Sequence, residues 1–250
     1  MNKLYSVILT LIAGLFFLLG GLISKKFKNK DVLNHFSIAL AFIIMLNLIF
    51  TDLIPETLEL LEAYKTSSRI FMIISFIILG ILILKILDFF IPDHHHEHHE
   101  EEKNIKEHIS HEKHIGTLTV ISLILHNVLE GFAIFGMSLN DFKLGIMICI
   151  SVALHNIPLG THIFSSLSLN KNKRLISILT LSSLIGGIIF LIVGEISNLV
   201  LAIITCITLG MLIYIEIFEL LPEMLHSIKK KETIIGLIVG LIILGISLII

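Results

Sequence analysis

The sequence predicts an all-α polytopic membrane protein: eight transmembrane helices, three, two and three in order, with the outer triplets as inverted repeats, all in one domain over residues 1–250. Three observations carry that expectation. Hydrophobic residues make up 55% of the chain and charged residues 15%. With a mean hydropathy of +0.98, it is too apolar for a soluble globular domain. Eight apolar runs reach the roughly 20 residues that a spanning helix needs. Finally, an acid-Leu-aliphatic-Pro-Glu signature occurs twice, as Asp52-Leu53-Ile54-Pro55-Glu56 closing span two and Glu219-Leu220-Leu221-Pro222-Glu223 closing span seven. Those two spans cross in opposite directions, which suits inverted repeats flanking a central pair, with a substrate site near the midplane.

The spans are expected near 4–23, 35–54, 70–91, 115–137, 144–168, 175–198, 199–221 and 233–250. Met1-Asn2-Lys3 leads straight into the first, with no small-residue cleavage site before polar sequence, so it reads as a retained span. Lysine and arginine are retained on the cytoplasmic side. The segments after spans one, three, five and seven hold thirteen of them, among them Lys25, Lys26, Lys28 and Lys30, whereas the opposite side holds four, Lys3, Lys65, Arg69 and Lys143. A multi-pass protein of the cell membrane with both termini outside is expected. Cys149 and Cys206 both fall inside spans and read as small apolar packing residues, not as a disulfide framework.

Between spans three and four, Asp93 to His114 holds eight of the thirteen histidines, including His94, His95, His96, His98 and His99, interleaved with glutamates. Imidazoles mixed with carboxylates suit Zn²⁺ and its neighbours, and without fixed spacing they suggest a disordered, low-affinity collector on the cytoplasmic side.

The strongest chemistry lies on spans four and five, in His126-Asn127-Val128-Leu129-Glu130-Gly131 and His155-Asn156-Ile157-Pro158-Leu159-Gly160. His126 and Glu130, four apart, share one helical face with Asn127 beside them. His155 and Asn156 repeat the pattern, and Pro158 cannot donate to the carbonyl of Leu154. Ionisable groups at membrane depth are costly unless paired, hydrated or metal-bound, so two such half-sites on adjacent spans read as a cation site built from His126, Asn127, Glu130, His155 and Asn156. His162, two turns beyond His155, is a ligand on the way out or a polar residue near the helix end. Glu195 and Glu216 are further span acids without a motif.

The pair H-N-x-x-E-G and H-N-I-P-x-G on consecutive spans, after a His-rich loop, resembles the ZIP (Zrt-, Irt-like protein) family of divalent-metal transporters. The resemblance covers all the spans and agrees with the three, two, three arrangement. It implies import into the cytoplasm by an elevator-like movement, and a part for Met45 and Asp52 of span two in the site or its approach. The family's second motif usually reads H-N-I-P-E-G, and here Leu159 stands in place of that glutamate. Where members hold two metals, that glutamate bridges them and a further acid comes from span six, which here reads Leu181-Ser182-Ser183-Leu184-Ile185-Gly186. One principal metal position is therefore expected.

Nitrogen and oxygen donors favour Zn²⁺ as transported substrate, with Fe²⁺, Mn²⁺ and Cd²⁺ as alternatives, since ligand type alone does not name the metal. No resident cofactor is expected. An intramembrane metalloprotease would need H-E-x-x-H, and here Asn127 and Glu130 occupy the second and last of those positions. A net charge of −2 offers no surface for nucleic acid, and no nucleotide-binding glycine loop suggests an ATP-driven pump. The expected partners are divalent metal ions and the lipid bilayer, with a homodimer as the assembly to test. A metal sensor that does not transport is the alternative function. On the charge asymmetry, a cysteine placed in the His-rich loop should resist an impermeant thiol reagent applied to intact cells, and one placed at Lys65 should react; labelling of the loop from outside would reverse the orientation.

Overall fold

The computed structural model describes residues 2–90, 120–121, 123–139, 142–166, 173–194 and 196–247. The His-rich segment with His94, His95, His96, His98 and His99 lies outside the described residues, as does Glu195. Every regular element among the described residues is helical. The helices are α1 (Asn2–Lys26), α2 (Lys30–Asn47), α3 (Ile54–Leu60), α4 (Thr66–Phe90), α5 (Leu123–Leu139), α6 (Phe142–Ser166), α7 (Lys173–Val193), α8 (Asn198–Ile215), α9 (Leu221–His226) and α10 (Lys231–Ser247). Among the described residues, six stretches are long and apolar enough to cross a membrane, and α5 and α10 stand where the fourth and eighth spans were expected.

The expected end of span two at its proline is corrected: Asp31–Leu60 is one continuous span of 30 residues, and Asn198–His226 is one of 29. A proline inside a helix removes a donor and crowds the carbonyl four residues back. Both spans meet this by widening into a π turn just before the proline, at Leu48–Leu53 and at Glu216–Leu220. The amide of Ile54 donates to the carbonyl of Ile49, and that of Leu221 to Glu216, each five residues back. Pro55 and Pro222 then sit in the first turns of α3 and α9, where a missing donor costs nothing. The repeated signature is thus a repeated backbone device, not a pair of helix stops.

Spans six and seven nearly abut because the turn between them is tight. Past Val193, Gly194 adopts φ +74° and its amide donates to Phe190 at 2.8 Å. Ser197 then caps α8 by accepting from the amide of Val200.

Packing follows the repeat. Helix α2 packs on α10, and its counterpart α8 packs on α4; α1 packs on α6 and on α7, and α2 meets α6. Exchanging the first three spans with the last three carries the α2–α10 contact onto the α8–α4 contact. Two bundles result, α1 with α5, α6 and α7, and α2/α3 with α4, α8/α9 and α10. The larger apolar cluster draws Ile38, Met45 and Leu48 of the α2 span together with Leu209, Leu212 and Ile215 of α8, and includes Phe17, Leu159 and Ile163.

Between lipid-exposed helices there is no hydrophobic drive to associate, so close backbone approach matters. Both motif glycines supply it. A Cβ on Gly131 of α5 would collide with the carbonyl of Ser183 on α7, and one on Gly160 of α6 with the backbone of Phe17 on α1. Gly186 of α7 meets the carbonyl of Val128 in the same way, whereas Gly245 has open space around it. Gly186→Ala should therefore cost about 1–3 kcal/mol by forcing α5 and α7 apart, read as a lower thermal midpoint in detergent, with Gly245→Ala as the neutral control; equal midpoints for the two would remove the close-approach account.

Candidate metal site

The site is built across the α5–α6 pair. The four-residue spacing on α5 places Glu130 one turn beyond His126, and His155 of α6 enters from the neighbouring helix. His155 Nε2 donates to Glu130 Oε1 at 2.8 Å, and His126 Nε2 lies 3.8 Å from the same oxygen. The two imidazole rings are 5.9 Å apart between centroids. All three side chains can offer one ligand atom within 4.8 Å of the others. Around a tetrahedral Zn²⁺ with donors near 2.0–2.2 Å, neighbouring donors lie roughly 3.3 Å apart, so the observed spacings close onto an ion with side-chain adjustments alone.

Two of these groups still have bonding capacity. His126 Nε2 and Glu130 Oε2 are buried without a hydrogen-bond partner. Such atoms in a membrane interior are expensive to leave unsatisfied, and a cation is the ligand that serves a carboxylate oxygen and an imidazole nitrogen together.

The three residues form the floor of a cavity of about 330 Å³ whose walls include Asp52 and Glu56, Met137, Ile148, Leu201 and Thr205. From the site, these walls run toward Leu60 at the end of α3, Leu139 at the end of α5, Phe142 at the start of α6 and Asn198 at the start of α8. Alternating passes put those four ends on one membrane face. The two acids, one turn apart on the α2/α3 span, line the approach.

The other residues expected at the site are placed as follows. Asp52 reaches the cavity and accepts from the Thr51 hydroxyl at 2.7 Å. Met45 does not reach it and is wholly buried in the apolar cluster. Asn127 is fully buried with neither amide atom hydrogen-bonded. Asn156 donates to the carbonyl of Ala13 on α1 at 3.3 Å and leaves its oxygen unpartnered. His162 is buried but is absent from the cavity wall. Leu159, which stands in place of the family's glutamate, is buried in the apolar cluster. Ser183, in the middle of α7, is buried with its hydroxyl unpartnered. Glu216 is buried in the second π turn with both oxygens unpartnered, away from the cavity.

Glu56 was missed by sequence reasoning. It appeared only as the last letter of a helix-stop signature; the signal that would have found it is its spacing of four from Asp52 in a helix that continues through Pro55.

This arrangement coincides with sequence relationships over the whole chain. The ZIP zinc-transporter family model matches residues 92–248. The chain belongs to the ZIP family. It is 31% identical to the zinc transporter ZupT of Streptococcus mutans over 96% of its own length and 95% of that protein's. ZupT of Enterobacter sp. is 28% identical over 97% and 95%, and ZupT of Campylobacter jejuni 29% over the same shares. Within the ZIP frame, this chain keeps the histidines and the first-motif acid together and lacks the second-motif acid at Leu159.

A single carboxylate among the clustered donors limits how much charge the site holds. With the His-rich loop deleted so that its histidines do not contribute, equilibrium dialysis should find one tightly held zinc per chain, and Leu159→Glu should raise that toward two or tighten the single site. Two zinc ions in the loop-deleted parent would show a second position built from other oxygens.

Proposed function

We propose that this ZIP-family protein carries divalent metal, zinc foremost, across the cell membrane into the cytoplasm through the His126–Glu130–His155 site. One observation carries the reading: a membrane-depth carboxylate lies between two imidazoles from different helices, with unsatisfied donor atoms, at the floor of a cavity leading to one face. Imidazole and carboxylate suit Zn²⁺, with Fe²⁺, Mn²⁺ and Cd²⁺ in the same class, over Ca²⁺ or Mg²⁺, which prefer all-oxygen shells.

The basic-residue asymmetry supports the direction. The face to which the cavity leads carries Lys65, Arg69 and Lys143, the poorer side, and is read as outside. A hydrated ion arriving there meets Asp52 and Glu56 first and then exchanges water for His126, Glu130 and His155. For the ion to bind His155 Nε2, the proton that this nitrogen donates to Glu130 moves to Nδ1 by tautomerisation or leaves to water; the hydrogen bond then gives way and the carboxylate turns to the ion. The α5–α6 pair belongs to one bundle and the Asp52–Glu56 wall to the other, so displacement of one bundle against the other is the movement that would carry the site toward the cytoplasmic face. There the His-rich segment would receive the metal. The non-transporting sensor is less favoured, because signalling by metal occupancy needs no acid-lined route to a buried floor.

Zinc-dye uptake into proteoliposomes tests the reading. His126→Ala and Glu130→Ala should each cut flux at least as much as the ~10–100-fold that loss of an outer-sphere partner costs a metal site, while Asn127→Ala should be milder. Near-normal flux in His126→Ala would reject the site; zinc binding without uptake by the parent would favour the sensor.

A further inference from the structure

A second cavity, of about 410 Å³, opens between the two bundles and has no part in the metal site. Ile23 and Phe27 of the α1 end, Leu33, Phe36 and Leu40 of α2, and Pro158 of α6 wall it, and its walls present no polar surface. The two hydroxyl side chains among its lining residues are turned into backbone: Ser37 donates to Asn34, and Thr161 to Ile157 at 2.9 Å. Glu232, at its edge, is the one charged side chain in the lining, and the groove reaches in to Pro158, three residues from His155.

Its rim is charged. Exposed Lys25, Lys26 and Lys28 flank Phe27 where α1 leaves the membrane, with Lys231 at the start of α10. Asp31 and Glu232 lie at the same level and offset only part of that charge. An apolar slot beneath a basic rim matches one class of molecule, an acyl chain below an anionic headgroup.

We propose that this groove is a binding site for an anionic phospholipid such as phosphatidylglycerol, with one acyl chain against Phe36, Leu40 and Pro158 and the phosphate held by Lys25, Lys26 and Lys28. Moving a chain from bilayer to groove gains little from hydrophobicity, because both surroundings are apolar. Selectivity therefore comes from the rim, at about fivefold per lysine for an attraction of about 1 kcal/mol each. The chain fills the seam between α2 and α6 behind the helix that carries His155. The site requires only that the helices cross a bilayer, so its test does not depend on zinc movement.

The protein contains no tryptophan, which makes a single introduced one a background-free reporter. Phe36→Trp in the groove, and Phe27→Trp at its rim as a second reporter, are reconstituted in phosphatidylcholine vesicles containing increasing fractions of brominated phosphatidylglycerol or brominated phosphatidylcholine. Ile86→Trp on α4, 54% exposed and near the same membrane face, reports ordinary boundary lipid. Half-quenching of either groove reporter should occur at a phosphatidylglycerol fraction about tenfold or more below that for phosphatidylcholine, with no difference at Ile86→Trp. Combining Lys25→Gln, Lys26→Gln and Lys28→Gln should abolish the preference. Equal quenching of the groove reporters by both lipids, or quenching by neither because another part of the chain covers the groove, would overturn the proposal.

Discussion

The contact on which the rest of the structure depends is the one between His155 and Glu130, 2.8 Å apart on different helices. A hydrogen bond tolerates errors of a few tenths of an ångström, and neither α5 nor α6 can hold that register alone. Each is fixed by its own motif glycine against a different outer helix, Gly131 against Ser183 of α7 and Gly160 against Phe17 of α1. The donors and the glycine that ends each motif are therefore two halves of one requirement. The first supplies the chemistry, and the second holds it in place where apolar side chains gain nothing by leaving lipid.

The second organising device is the π turn before Pro55 and before Pro222. It lets a long span carry a proline without ending, and it rotates the following residues relative to a regular helix. On the first repeat this places Asp52 and Glu56 in the cavity wall. On the second it leaves Glu219 buried, and Glu223 accepts from Asn34 of α2 at 3.2 Å, between spans on the opposite side of the molecule. One backbone motif, used in opposite directions, so serves an open route at one face and a closed contact toward the other.

The spans, their number and the clustering of the central polar groups were legible in the sequence because they rest on local rules: apolar length, the four-residue helical repeat and the cost of ionisable groups in a bilayer. His126, Glu130 and His155 needed nothing else. What was not legible depended on tertiary geometry. Pro55 and Pro222 read as helix stops because proline's usual effect is local, whereas the compensating π turn leaves no composition signal. Met45, given a part in the site by resemblance, and Leu159, which replaces the family's glutamate, are both packed in the apolar cluster.

The position of Leu159 bears on how the site releases what it binds. With a leucine sealed into the apolar cluster, and with Asn127, Asn156 and Ser183 as the neighbouring polar groups, Glu130 is the one carboxylate in direct reach of the ion. A divalent cation held by one carboxylate and two neutral imidazoles keeps a net positive charge, and in a low-dielectric interior that residual charge is strongly felt. Asp52 and Glu56 lie in the same cavity and can offset it without coordinating. In the proposed cycle, the occupied site is favoured while the cavity is open toward those acids; once the bundles separate the ion from them, the uncompensated charge raises its energy and drives it toward water on the other side. In that cycle the carrier binds by assembling two layers of negative charge and releases by parting them, so the lack of a second carboxylate at Leu159 favours turnover.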